Sequence, residues 1–267
     1  MKRRKLLACE TIKDEVELIK EKCGVDIETV WMDNTLHAYP ENLRDALQAE
    51  IDKAEPEAEE LLFAYGNCGN GLVGLKSSSA TMIIPKYGDC IDMFLSNLEN
   101  LERVRTTTYF LTRGWLDGKQ SLEWEIDYNY KRFGEKRARK IMDMIYRHYK
   151  YLMLIDTGAY DLNQAKPRVD KIAETIKLEP VVKQGDISPI EKLLTGNWDE
   201  EHFCVIPPGR ETTYHDFDGA SLRLPCENLF FLLQFKYICY NAFRFRRFLK
   251  FFISKMTYNK TAEINNL

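Results

Sequence analysis

The segment 61–96, LLFAYGNCGNGLVGLKSSSATMIIPKYGDCIDMFLS, decides how the chain folds. An apolar run at 61–65 stops at Gly66-Asn67-Cys68-Gly69-Asn70-Gly71, and a second at 81–85 stops at Gly88-Asp89-Cys90. Each run is short, closed by turn residues and followed by a helical pattern, as buried strands of a parallel sheet are. The pattern predicts strand, glycine-rich turn, short helix, strand, turn, helix. Both strands deliver a cysteine just past their carboxyl ends, the edge at which open α/β sheets bind ligands.

The same reading extends outward. A short buried strand at 5–8 meets Cys9-Glu10, and a helix over 11–22 ends at Gly24. A strand at 27–32 leads through a loop with His37 and Pro40 to a helix over 41–54, whose Leu43, Leu47 and Ile51 share one face. Further on, strands are predicted at 106–112, 151–155, 180–183 and 202–206. Helices are predicted at 121–133, 135–149, 162–176 and 188–194, and Gly114-Trp115 reads as a turn. The expected fold is α/β, Rossmann-like, with mostly parallel sheets and flanking helices. Gly88-Asp89 and Gly185-Asp186 each open an apolar helical stretch after a strand. That echo suggests two similar halves, 1–100 and 101–217, around a cleft; chance similarity of two helix starts is the alternative.

The charge pattern changes near Phe217. Residues 218–267 hold eight Lys or Arg against three acidic residues, and eight of the 14 Phe, so they carry +5 where residues 1–217 carry −8. This basic, aromatic extension suits weak contact with an anionic membrane surface, or is a loosely packed tail. The overall net charge of −3 argues against nucleic acid as a partner. The apolar run after Met1-Lys2-Arg3-Arg4-Lys5 is too short for a signal core, so a cytoplasmic setting with seven reduced cysteines is expected.

Cys9, His37, Cys68 and Cys90 each follow one of the first four predicted strands. If those strands run parallel, four soft or borderline donors lie along one edge, a set suited to zinc or another transition metal. The alternative is that Cys9 and Cys90 are small buried hydrophobes and His37 orders a loop. Gly66, Asn67, Gly69, Asn70 and Gly71 form a candidate cofactor-binding loop, since glycines admit close ligand approach and a helix start favours an anion. Their spacing matches neither a dinucleotide nor a Walker loop. Glu10 and Asp89 adjoin cysteines and are candidate acid/base groups, as is Asp156, although capping is the commoner role of such residues. A wall of the cleft at Gly114-Trp115 is a further candidate.

The chain resembles the family catalogued as domain of unknown function 1638, found in anaerobic bacteria and methanogenic archaea. The resemblance rests on Ala8-Cys9-Glu10, His37 with Pro40 and Leu43-Arg44, Tyr65 through Gly71, Asp89-Cys90-Ile91, Gly114-Trp115, Ile155 through Gly158, and Leu193 through Trp198. Gly88 stands where the family often has histidine. The resemblance implies a link to corrinoid-dependent methyl transfer, with a corrinoid protein or methyltransferase as partner and a small molecule as substrate. Three functions follow as expectations: a metal-binding protein of methyl or one-carbon metabolism, acting as a transferase; a non-catalytic small-molecule or cofactor-binding accessory; and a thiol redox protein. Metal content separates the first from the others.

Overall fold

The computed structural model describes residues 2–217, and the basic aromatic segment 218–267 lies outside the described residues. Two sheets organise the fold. The first contains β1 (Arg4–Cys9), β2 (Glu28–Met32), β3 (Glu60–Ala64), β4 (Thr81–Pro85) and a fifth strand from near the end of the described chain, numbered β8 (Phe203–Ile206). Their order is β2-β1-β3-β4-β8. The first four are mutually parallel, and β8 joins β4 antiparallel. The centre of the sheet is apolar on both faces: Leu61, Leu62, Phe63 and Ala64 are all fully buried. That explains the unbroken apolar run at 61–65, since a parallel strand covered on both sides has no polar face to alternate with.

Helix α1 (Lys13–Cys23) follows β1 after a 3-10 turn at Glu10–Ile12 and ends at Gly24, whose φ of 63° provides the left-handed cap. Helix α2 (Pro40–Ala54) starts with proline in its first turn and buries Leu43, Leu47 and Ile51, the predicted face. The glycine-rich loop after β3 departs from expectation. It forms only a three-residue 3-10 turn, Cys68–Asn70, and no α-helix lies between β3 and β4. The oligoglycine sequence and the run Ser77-Ser78-Ser79 lack the apolar spacing that a helix buries.

The second sheet is parallel throughout, in the order β5 (Thr108–Leu111), β6 (Tyr151–Asp156), β7 (Glu179–Gln184). The short helices α3 (Cys90–Phe94) and α4 (Leu101–Arg105) lead into it. After β5 come α5 (Arg113–Asp117), α6 (Leu122–Phe133), α7 (Glu135–Tyr146) and, beyond β6, α8 (Leu162–Ile176). Gly114-Trp115, expected as a turn, lies inside α5. Leu111, Leu116, Leu122, Met142, Leu152 and Val169 belong to a core of their own.

The expected second half, 101–217, ends early. Helix α9 (Ser188–Thr195) packs on α1, β3 and β4, and Ile190, Leu193, Phe203 and Ile206 join the first core. The chain thus leaves the first sheet, builds the second, and returns to close the first at its β4 edge. The Gly-Asp echo is not reproduced as two equal halves, because α9 belongs to the first core.

Two buried carboxyls give the fold a pH dependence. Glu15, on α1, accepts a 2.7 Å hydrogen bond from Thr157 Oγ1 and leaves Oε2 without a hydrogen-bond partner among the described residues. Glu125, on α6, accepts from Tyr146 Oη at 2.9 Å and leaves Oε1 likewise without one among the described residues. Burial pushes each up to about 7 from 4.5. The folded state therefore holds more protons than the unfolded chain between those values, and stability falls as pH rises through that window. The full contribution is present below pH 4.5 and is lost above the folded value. Each group contributes a slope of at most about 1.4 kcal/mol per pH unit, roughly 3 kcal/mol in all. Urea unfolding at pH 5, 6 and 7 should show that Glu15→Gln removes a falling trend of this size. A Glu15→Gln minus wild-type difference that is flat with pH would refute it. The ion-paired Asp33 and Asp199, held low, act below pH 4 and leave this window clear.

Candidate functional site

The site is assembled from four loops at the carboxyl edge of the first sheet. Cys9 is the last residue of β1 and is buried. His37 rides on a 3-10 turn, Asn34–Ala38, which Asp33 caps by accepting from Thr35 N at 2.8 Å. Cys68 opens the 3-10 turn after β3 and is half-buried. Cys90 is the first residue of α3, which Asp89 caps by accepting from Asp92 N at 2.8 Å.

Cys9 and His37 are in direct contact, and His37 and Cys90 are each electrostatically coupled to Cys68. Cys9 Sγ lies 3.0 Å from His37 Nε2 and 3.0 Å from Thr11 Oγ1. Cys68 adjoins the His37 imidazole and neighbours the Cys90 thiol. Tyr65 and Trp115 enclose the imidazole: the Tyr65 ring is 6.1 Å away and nearly parallel, and the Trp115 ring 5.6 Å away and edge-on. Trp115 also faces Cys90.

Burial keeps the Cys9 and Cys90 thiols protonated when nothing binds them. Burial pushes Cys9 up to about 11, against the opposing hydrogen bond with Thr11. Burial, then the neighbouring Cys68 and Asp89, raise Cys90 far above the usual thiol range. For His37, burial favours the neutral ring, but Cys68 and Asp89 outweigh it and the net shift is upward.

The loop glycines serve packing. A Cβ on Gly66 would sit 2.5 Å from Asp89 Cα and 2.6 Å from its carbonyl oxygen. On Gly69 it would meet Pro40 Cγ, and on Gly71 Leu43 Cδ2, each at 2.8 Å. These close approaches seat the loop against the β4–α3 loop and α2, and no α-helix lies between it and β4. Asn67 ties the loop by accepting from Leu72 N at 3.2 Å and donating to Asn70 Oδ1 at 3.1 Å.

The three candidate acid/base residues fare differently. Asp89 receives both terminal nitrogens of Arg105, at 3.0 and 2.8 Å, and caps α3, so it fixes the Cys90 loop. Glu10 is exposed at the rim. Asp156 stands at the end of β6 in the other sheet and accepts from Gly158 N at 3.0 Å. Sequence reasoning passed over Arg105, Thr11 and Tyr65. Arg105 acts through residues 13 and 16 positions away, on other turns of the chain, and carries no local motif.

The donor set suits zinc in kind: three thiols and an imidazole from separate loops. The spacing is that of a hydrogen-bonded cluster. Among the described residues no three His, Cys, Asp or Glu side chains form a ligating group. Zinc bond lengths place tetrahedral sulfur and nitrogen ligands about 3.5 Å apart, so ligation would widen the 3.0 Å Cys9–His37 contact by roughly half an ångström.

Fold and site together define an α/β protein with a cysteine–histidine cluster at the carboxyl edge of a parallel sheet. Among known families the match is to Protein of unknown function (DUF1638), over residues 31–194. The chain belongs to that family. No curated protein and no solved structure matches it. No helix among the described residues is long and apolar enough to cross a membrane.

Proposed function

We propose that the cluster is a soft-metal centre, with zinc as the first candidate, in a cytoplasmic protein that transfers methyl or one-carbon groups. What supports this reading is the 3.0 Å contact of Cys9 with His37, together with the electrostatic coupling of Cys68 to both His37 and Cys90, at loops of one sheet edge. Zinc would supply a Lewis acid that keeps bound thiolates ionised and lowers the pKa of a bound thiol or water. Cys9 and Cys90 would hold it from the buried side. Cys68 and His37, both half-buried, stand where a small substrate would approach. Tyr65 and Trp115 would exclude water from the imidazole, and Arg105 would hold the Asp89-Cys90 loop in place. A corrinoid protein or methyltransferase as partner belongs to the same proposal and rests on the family resemblance.

Anaerobic purification of the full chain, reconstitution with zinc and elemental analysis test the reading. About one zinc per chain is expected. Cys68→Ser should lose most of it, whereas Cys23→Ser, at the far end of α1, should keep it. A wild-type chain without metal would sink the proposal. A disulfide within the cluster would then point to thiol redox chemistry, and its absence to a binding module.

A further inference from the structure

Parallel sheets are ordinarily covered on both faces, and the second sheet is not. Helices α6, α7 and α8 cover one face, where Leu152 and Leu154 are fully buried. On the other face Phe110 and Met153 pack against the first core. Strand alternation and register put Tyr151 and Val181 on that same face. The cover does not reach them: Tyr151 is 36% exposed and Val181 half-buried. Helix α4 stands beside this open part and makes with it a cleft of about 570 Å³, within the range of small-molecule sites. The sheet contributes Tyr151, Met153 and Val181 to its lining, and α4 contributes Val104.

Three cations, Arg103, Lys150 and Lys183, line the same cleft, and no acidic residue does. None of the three has an ion-pair partner among the described residues. Arg105, two positions further along α4, is by contrast engaged by Asp89 and Asp92. The backbone beside two of the cations is tied down. Thr106 Oγ1 donates to the carbonyl oxygen of Arg103 at 2.8 Å, and Lys150 N donates to the carbonyl oxygen of Thr107 at 2.7 Å. Like charges around one apolar cleft repel each other, and an anion seated between them reverses the sign of that interaction.

We propose that this cleft binds a small phosphate monoester with an apolar or aromatic body. A phosphoryl group carries a charge of about −1.5 to −2 near pH 7 and three acceptor oxygens, which answers three cations better than a single carboxylate does. The body follows from Val104, Tyr151, Met153 and Val181, and the small size from the volume of the cleft. The site needs no metal and does not rest on the soft-metal reading.

Calorimetric titration of the full-length protein with 1-naphthyl phosphate, 1-naphthol and inorganic phosphate tests the proposal. The ester is expected to bind at least about tenfold more tightly than either of its parts, and less tightly as salt rises. Arg103→Gln should weaken it about threefold, and Lys150→Gln combined with Lys183→Gln about tenfold, as the loss of one and of two exposed ion pairs would. All three side chains are exposed, so these variants should melt with wild type. Lys136→Gln, on the exposed side of α7 and outside the cleft, should bind the ester as wild type does. Absence of binding by wild type would overturn the proposal, as would equal affinity for the ester and either part. Affinity unchanged in the double lysine variant would also overturn it and would move the probe to another basic surface, the segment 218–267 first.

Discussion

Gly114→Ala is expected to destabilise the protein by at least about 3 kcal/mol, at the upper end of overpacking costs. A Cβ at this position would lie 2.6 Å from Thr11 C and 2.8 Å from Thr11 Cα, and closer still to the carbonyl oxygen. All three are backbone atoms, so no side chain can rotate away. Relief requires α5 to lift off the turn that follows Cys9. That turn carries Thr11, whose hydroxyl contacts Cys9. Helix α5 carries Arg113, ion-paired with Asp14, and Trp115, which walls His37. The clash would therefore loosen the seam between the sheets and the cluster together. A fall in melting temperature of roughly 6–12 °C follows for a chain of this size. Gly24→Ala is the control: Gly24 has a left-handed φ of 63° and ψ of 34° but open space around its missing Cβ. It should cost only the backbone strain, about 1 kcal/mol. If Gly114→Ala melts within 2 °C of wild type, the close approach of α5 to Thr11 is wrong.

Much of the fold could be read from sequence because its central strands are buried on both faces and punctuated by glycine. The run at 81–85 was placed without error, and those at 61–65 and 151–155 within a residue at each end. The expected convergence of cysteines rests on one inference, that the first four strands are parallel, and the pairing of β1 with β2 and β3, and of β3 with β4, agrees with that inference. What stayed hidden depends on contacts distant in sequence. The return of β8 to β4 spans more than a hundred residues, and a four-residue strand gives no sign of which sheet it joins. Helix α5 is one turn long and contains glycine, so propensity pointed to a turn, whereas packing against Thr11 selects both the helix and the glycine. In Asp156-Thr157-Gly158 the sequence drew attention to the aspartate. The structure uses the threonine, which bonds Glu15 across 142 positions. Asp89 shows the same limit: its place beside Cys90 suggested acid/base chemistry, and only the position of Arg105 reveals that both its oxygens are committed.

Arg105→Ala should cost about 3–5 kcal/mol, the usual result of removing one partner from a buried ion pair. The guanidinium is 14% exposed and binds Asp89 twice and Asp92 once, the last at 2.8 Å. Burial alone would lower its proton affinity, but the two carboxylates more than reverse this, so the cation is fixed. Without it, two carboxylates that are 20% and 12% exposed lose the cation that bridges them. Asp92 also accepts from Gly88 N at 2.9 Å, and Asp89 caps the helix that Cys90 begins. Repulsion between them would therefore move the cysteine as well as lower stability. Arg105→Lys keeps the charge but cannot reach both oxygens of Asp89 and one of Asp92 in the same planar geometry, so an intermediate loss is expected. Asp89→Asn combined with Arg105→Ala should recover part of the stability, because one of the two repelling charges is gone. It should not recover the position of Cys90, since the bidentate Arg105–Asp89 tie between α4 and the β4–α3 loop is gone. Urea unfolding measures the first effect, and the rate at which iodoacetamide labels Cys90 measures the second. Arg105→Ala with wild-type stability, or a double variant no more stable than the single, would mean that the carboxylates do not depend on Arg105 and that the loop is held by packing alone.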